Sequence, residues 1–364
     1  MLKNKGYWRV KDELFENKIL AILSAQKQNL GPEDISFHYN DEWWDRADWT
    51  VEPQQSLEEL YLTRALQLRE KYKTLILRLS GGADSFNILF TCLENNIPID
   101  VIAVNTYTQH INVDHQNHRA SLEKINNVFP YLETLKNQGV NFVLKDLDTS
   151  YLFDLVKDPE WIFKINAPRF RLVEIQAPRT SAHPDLKEYD DESTCIISGI
   201  DKPWITCKQK KIWYFGFEDF IPCLVDPGHS KIVQEPFYYT ADMPEITIKQ
   251  SHVVKNYYKD KMPVDCNEFF PWIKNQLVPL IYPKYWKFTP GDPLPYFEVP
   301  VNPYLSINDD IVDDQYEKNK PVYNGHHQGV ELADRLIERR FKKSDNLKKD
   351  GLSAIYTKSR WLGK

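Results

Sequence analysis

The sequence predicts an α/β protein built on a mainly parallel sheet with helices on its faces. Three observations carry this reading. Thr74–Leu79 (TLILRL) is an apolar run of strand length. Ser80-Gly81-Gly82-Ala83-Asp84-Ser85 follows at once and leads into an apolar helical pattern, FNILFTCLEN. Two more strand-length runs then arrive after helix-length intervals, Pro98–Val104 (PIDVIAV) and Asn141–Leu144 (NFVL). Strands alternating with helices call for parallel pairing, and right-handed crossovers set the topology of each unit.

The elements follow in order. The first fifty or so residues are irregular, with short helical patches and an aromatic, acidic stretch at Asp41–Trp49. Leu57, Leu60, Leu62, Leu66 and Leu68 among charged residues predict an amphipathic helix, and Ser56 with Glu59 is a capping box at its start. After the first strand, loop and helix, the interval from Asp114 to about Asn137 reads as a further helix. Leu147–Glu192 is a long intervening region rich in Pro and Arg, and Thr194–Ile200 (TCIISGI) is another buried strand. Ile205–Cys207 and Lys211–Phe217 suggest an antiparallel hairpin at the sheet edge. From Pro236 the pattern is mostly helical, with Pro244 opening a helix. Phe288–Pro321 reads as Pro-rich loop, and the stretch from Gly329 as helical and basic. The expected organisation is an irregular and helical extension over 1–70, a nucleotide-binding core over 71–236, and a mostly helical region with a basic tail over 237–364.

Composition bounds the alternatives. With 364 residues, 42% apolar and 27% charged, the chain is an ordinary globular mix of about two domains. Aromatic residues reach 13% while Gly is sparse at 13 and Pro plentiful at 23, which points to aromatic-padded loops. The net charge of −6 places generic nucleic-acid binding behind other readings. However, Glu331–Lys364 holds ten Lys or Arg against five Asp or Glu, a basic tail on an acidic protein. The five cysteines, Cys92, Cys195, Cys207, Cys223 and Cys266, are scattered, with no zinc or iron–sulfur spacing. The start lacks a signal-peptide h-region and no apolar run spans a bilayer, so a cytoplasmic protein with no membrane partner is expected.

The chemistry is concentrated in Ser80–Ser85. The segment leaves the carboxyl end of a strand and enters a helix, where open α/β sheets bind ligands. Gly81 and Gly82 let backbone amides approach an anion, and the helix start adds unpaired N–H groups and a positive dipole end. Ser80 and Ser85 add hydroxyls. Asp84 is out of place in an anion cradle unless a cation accompanies the anion, and Mg²⁺ takes such a carboxylate. No Lys follows the glycines as in a Walker A loop, and no GxGxxG is present.

SGGADS resembles the SGGxDS loop of the PP-loop, or N-type, ATP pyrophosphatases. That superfamily includes asparagine, GMP and NAD synthetases, tRNA-lysidine synthetase and PAPS reductase. The match covers about Lys73 to Leu144. The resemblance implies a doubly wound, mainly parallel five-stranded sheet of HUP or PP-loop type. It implies ATP and Mg²⁺ as cofactors, and cleavage of ATP to AMP and pyrophosphate with adenylation of a substrate oxygen. It places Ser80, Gly81, Gly82 and Ser85 on the pyrophosphate and Asp84 on Mg²⁺. Asn105, just past the second strand, is the candidate for the adenosine side, with an ordinary turn residue as the alternative.

A second constellation, Ser198-Gly199-Ile200-Asp201-Lys202-Pro203, also exits an apolar strand. Lys202 is the candidate catalytic cation and Asp201 a candidate second metal ligand; a loop salt bridge is the alternative. Lys208, Lys210 and Lys211 compete with Lys202 but read as a solvated strand edge. Arg169, Arg171 and Arg179 suit a substrate clamp or an ordinary exposed loop. His110, His115 and His118 with Asp114 suggest a metal site or a polar helix start, and His252 with Gln250 is a weaker hint of the same kind, with an ordinary helix surface as the alternative.

Three function classes follow. The first is an adenylating, C–N bond-forming ligase acting on a small-molecule or macromolecular substrate, without a built-in glutaminase because Met1-Leu2 offers no cysteine at position two. The second is a sulfur-transfer or PAPS-reductase-like enzyme, which scattered cysteines disfavour. The third is a non-catalytic nucleotide-binding or interaction protein. Nucleic acid as substrate stays open through the tail but is not favoured.

Overall fold

Period-two alternation sets the N-terminal architecture. β1 (Tyr7–Val10), β2 (Glu13–Phe15) and β3 (Ile35–His38) form an antiparallel sheet in the order β2-β1-β3. Trp8, Val10, Ile35 and Phe37 turn inward, while Arg9 and Ser36 turn outward. α1 (Lys18–Lys27) covers the inner face, capped by Asn17, whose side chain accepts from the Ile19 and Leu20 amides. This sheet was not foreseen from the sequence, because its strands are short and mix charges with aromatics. The computed structural model describes residues 4–106, 128–148, 156–164, 181–199, 204–208, 212–218, 230–260, 268–269, 278–283, 313–342 and 357–363.

After the short α2 (Asp41–Trp44), α3 (Leu57–Lys71) starts on the expected Ser56–Glu59 capping box. Its buried face is Leu57, Leu60, Tyr61, Arg64, Ala65 and Leu68; Leu66, expected inside, is 52% exposed. β4 (Thr74–Arg78), α4 (Ala83–Glu94), β5 (Val101–Thr106), α5 (Phe129–Asn137) and β6 (Val143–Asp148) follow the expected alternation. After the one-turn α6 (Trp161–Lys164) comes β7 (Thr194–Ser198). β8 (Trp204–Lys208) and β9 (Ile212–Glu218) are the expected antiparallel hairpin, and β10 (Val233–Pro236) returns to the main sheet.

That sheet has five strands, all parallel, in the order β10-β7-β4-β5-β6. β4 contributes Leu75 and Leu77, and Leu79 follows just past it, to a core shared with Phe86, Ile88 and Leu89 of α4. Ile76 points the other way, into a smaller cluster with Val101, Ala103, Ile196 and Leu186. Chain order reverses at β4, which has its successor β5 on one side and the later β7 on the other. The crevice between the carboxyl ends of β4 and β7 is therefore the topological switch point.

The hairpin is not at the edge of this sheet. β8 and β9 belong to a separate antiparallel sheet, β11-β8-β9-β12, with β11 (Glu268–Phe269) and β12 (Thr357–Trp361). α7 (Pro244–Tyr258) starts at the expected proline, followed by the one-turn α8 (Val278–Ile281). α9 (Asp313–Leu336) begins before the end of the expected Pro-rich loop. The chain then ends in a strand rather than a helix, since β12 finds an open partner in β9. No described helix is long and apolar enough to cross a membrane.

One buried ion pair ties these parts together. Arg64 of α3 is fully buried and meets Glu235 of β10 at 3.0 Å. Glu235 also accepts from Lys71 Nζ and Tyr72 Oη at 2.7 Å each and from Asn4 Nδ2 at 3.1 Å. Burial alone would raise the Glu235 pKa, but the Arg64 charge and the Lys71 and Tyr72 hydrogen bonds outweigh it and hold it below the ordinary 4.5. A carboxyl depressed on folding stabilises the fold above its unfolded pKa and loses that contribution as pH falls through its folded pKa. Glu235→Gln is therefore expected to lower stability by about 3–5 kcal/mol near neutral pH, the range for breaking a buried pair. Urea denaturation should show the gap to wild type narrowing below pH 4.5; a gap independent of pH would contradict the assignment.

Candidate functional site

The turn from β4 into α4 is built by backbone conformation. Leu79 still donates to the Ala103 carbonyl at 2.9 Å, which holds the strand end flat against β5. The chain then turns through Gly81 at φ +97, a region that favours glycine. Gly82 is the N-cap of α4 and makes no side-chain cap hydrogen bond. The start of a twelve-residue helix thus faces the switch-point crevice without a side-chain cap.

The two serines divide their work. Ser85 is buried, donates to the Gly82 carbonyl at 3.0 Å and accepts from the Ser80 amide at 3.2 Å. It is an internal strut of the loop. Ser80 is exposed, and its hydroxyl lies 3.1 Å from Ser85 Oγ and 3.4 Å from the Gly82 nitrogen. Asp84 is the sole acidic residue in the first turn of α4. Its carboxylate folds back over Gly82, where a Cβ would lie 2.7 Å from Asp84 Oδ1.

A residue from far along the chain braces the loop. Tyr238 donates from its hydroxyl to the Asp84 carbonyl at 2.8 Å and accepts from Asn87 Nδ2 at 3.2 Å. Burial, and after it the neighbouring Tyr61 and Asp84, push the Tyr238 phenol well up, so it stays a donor. Tyr282 packs on Tyr238 with ring centroids 5.3 Å apart. The sequence singles out neither tyrosine, since each meets the loop only through contacts far apart in the chain.

The exit of β7 reaches the loop. Ser198 stands in register with Arg78 at the end of β4, and its carbonyl accepts from Phe237 N at 3.0 Å. Gly199 packs on the Asp84–Ser85 peptide so closely that a Cβ would lie 3.1 Å from both Asp84 C and Ser85 N. Asp201 and Lys202 lie outside the described residues, as do Lys210, Lys211, Arg169, Arg171, Arg179, His110, Asp114, His115 and His118. Lys208 is the last residue of β8. Asn105 is not past the second strand but within β5, buried, two residues beyond the Ala103 that pairs with Arg78. At about 3.3 Å per residue it reaches roughly 6–7 Å further toward the ligand edge than Ala103 does.

Other expectations are corrected. His252 and Gln250 are neither ligands nor helix surface: both are buried, and His252 Nε2 contacts the Trp49 carbonyl at 3.0 Å. Burial, chiefly, lowers the His252 pKa. In the described part of the basic tail, Lys342 pairs with Asp334, Arg340 with Glu338 and Arg360 with Asp45, at 3.1, 2.7 and 2.8 Å. Cys92, Cys195 and Cys207 are buried, and burial raises the Cys92 thiol to about 12 and Cys195 well above the ordinary value. Such thiols do not supply a nucleophilic thiolate at neutral pH.

Among the described residues no group of three or more His, Cys, Asp or Glu converges on a metal. A phosphate-bound Mg²⁺ does not need one, because it takes one or two carboxylates, with water and phosphate oxygens completing the shell. Asp84 beside an amide cradle fits that donor set. Compared with protein-family models, curated proteins and solved structures, the chain matches none.

The Gly199 contact gives a direct check. Gly199→Ala has to push the Asp84–Ser85 peptide away, and overpacking of this kind costs about 1–3 kcal/mol. Chemical denaturation should register the loss; an unchanged midpoint would show that β7 and the loop are not in contact.

Proposed function

We propose that the chain is a Mg²⁺-dependent ATP pyrophosphatase of the PP-loop type that adenylates a carbonyl or carboxyl oxygen for attack by a nitrogen nucleophile. One observation carries the reading. The SGGADS turn stands at the switch point of an all-parallel sheet whose strands, numbered along the chain, run 3-2-1-4-5. The same letters in an edge turn would carry no such weight.

The described residues have separable tasks. The first-turn amides of α4 and the Ser80 hydroxyl bind the oxygens of the leaving pyrophosphate. Gly81 sets the turn that aims them, and Ser85 keeps the turn closed. Asp84 would hold Mg²⁺, which when bound neutralises charge on the phosphates. Electrostatics requires such a partner: two like unit charges 4 Å apart repel by about 4 kcal/mol at an effective dielectric near 20. Asn105, at the far end of β5, lies on the adenosine side. A substrate oxygen then attacks the α-phosphorus in line, the bond to the β-phosphate breaks, and pyrophosphate departs into preoriented donors. A nitrogen nucleophile next displaces AMP. The cysteines offer no support for sulfur transfer, since those described are core groups.

Incubation with ATP, Mg²⁺ and a cell extract should yield AMP and pyrophosphate. ADP would redirect the assignment to a kinase or another ligase type, and nucleotide binding without turnover would reduce the site to a binding module. Asp84→Asn is expected to abolish Mg²⁺-dependent pyrophosphate release while circular dichroism stays native. Lys202→Ala should lower turnover roughly 100-fold, the scale of one lost charged contact to the transition state; wild-type kinetics would exclude Lys202 from the site.

A further inference from the structure

Alternation along β3 places Ser36 and His38 together on the outer face of the N-terminal sheet, and Asp41 follows at the first turn of α2. The three side chains form a chain of hydrogen bonds. Ser36 Oγ lies 2.7 Å from His38 Nε2, and His38 Nδ1 lies 2.7 Å from Asp41 Oδ2. A carboxylate accepts, so in the tautomer protonated at Nδ1 the ring donates to Asp41 and its Nε2 lone pair faces the Ser36 hydroxyl. Two further contacts brace the His38–Asp41 pair. The Tyr7 ring stacks on it at 5.1 Å and 13°, and Arg360 Nη2 lies 3.4 Å from the other Asp41 oxygen. Exposure is graded outward, with the Asp41 side chain 11% exposed, His38 15%, and Ser36 open to solvent.

The sheet register adds a cation and an apolar contact. Arg9 is directly opposite Ser36 on β1, and Leu14 is directly opposite Arg9 on β2. Such cross-strand partners have Cβ atoms about 4.5–5.5 Å apart on one face. Arg9 is exposed there, and Leu14 is 57% exposed. We propose that Ser36, His38 and Asp41 form a second, hydrolytic centre that cleaves small carboxylic esters, remote in sequence from the nucleotide loop.

The steps balance without any further reagent than water. Ser36 Oγ adds to the ester carbonyl carbon as its proton passes to His38 Nε2. The tetrahedral oxyanion is stabilised by the Arg9 guanidinium, and Asp41 stabilises the imidazolium. The carbon–oxygen bond to the alcohol breaks, and His38 returns the proton to that alcohol. Water, deprotonated by His38, then releases the carboxylic acid and restores the serine. Leu14 offers apolar contact to the acyl group, and the exposed Arg9, Ser36 and Leu14 leave room for short acyl chains.

The test uses the full chain, a fluorophosphonate probe and p-nitrophenyl acetate. Peptide mass spectrometry should find the phosphonate on Ser36. Ser36→Ala, a change at an exposed position, should bring ester hydrolysis down to the buffer rate. His38→Gln should slow labelling of Ser36 by about 100-fold or more, the scale of a lost general base. Asp41 acts through His38, so Asp41→Asn should lower kcat about 100-fold and leave KM within about twofold. No adduct at Ser36, an adduct formed equally fast in His38→Gln, or wild-type hydrolysis by Ser36→Ala would each overturn the proposal.

Discussion

The Arg64–Glu235 pair is the constraint on which the rest of the structure depends. Arg64 is fully buried, and a charge without water must be matched by another. Glu235 supplies the match from the last strand of the parallel sheet, so α3 and β10 are held in one relative placement. From there the order spreads in two directions. Asn4 donates to Glu235 and exchanges hydrogen bonds with Asn40, which sits at φ +52 immediately before Asp41. In the other direction the chain leaves β10 through Pro236, whose carbonyl accepts from Arg64 at 3.0 Å, and two residues later reaches Tyr238, which holds the Asp84 carbonyl of the Ser80–Ser85 loop.

The loop is consequently gripped from three sides. Leu79 anchors it to β5, Gly199 packs on it from β7, and Tyr238 holds the Asp84 carbonyl. Donors aimed before a ligand arrives need no reorganisation when charge develops, which is the main source of electrostatic catalysis. The grip also explains the division between the serines. A hydroxyl buried inside the turn preserves its shape, while the exposed one remains available to a ligand.

Legibility from the sequence followed the locality of the information. Strand, glycine turn and helix from Thr74 to Glu94 are set by neighbouring residues, and so is the capping box at Ser56. These were readable. The strand of Asn105 was shifted, because Pro98 breaks the run and pairing to β6 extends it through Thr106. The partners of Glu235, the role of Tyr238 and the return of β12 to β9 depend on residues far apart in the chain, which periodicity does not report. The Ser36–His38–Asp41 group is hidden in the sequence for a related reason. Its i, i+2 spacing has meaning only on a strand, and a four-residue strand such as β3 is too short for its alternation to stand out.

The charge imbalance along the chain then acquires a structural account. An acidic, aromatic stretch at Asp41–Trp49 and a basic tail are two oddities of composition, and the fold brings them together. Trp49 stacks on Phe215 of β9 at 5.0 Å, and β12 pairs with β9 along its other edge. Arg360 of β12 thereby reaches Asp45 at 2.8 Å and Asp41 at 3.4 Å. The tail's positive charge is thus spent in part on the protein's own carboxylates. A strand that completes the small antiparallel sheet also steadies the carboxylate behind His38. Arg360 in this way links the C-terminal strand to the carboxylate that His38 contacts.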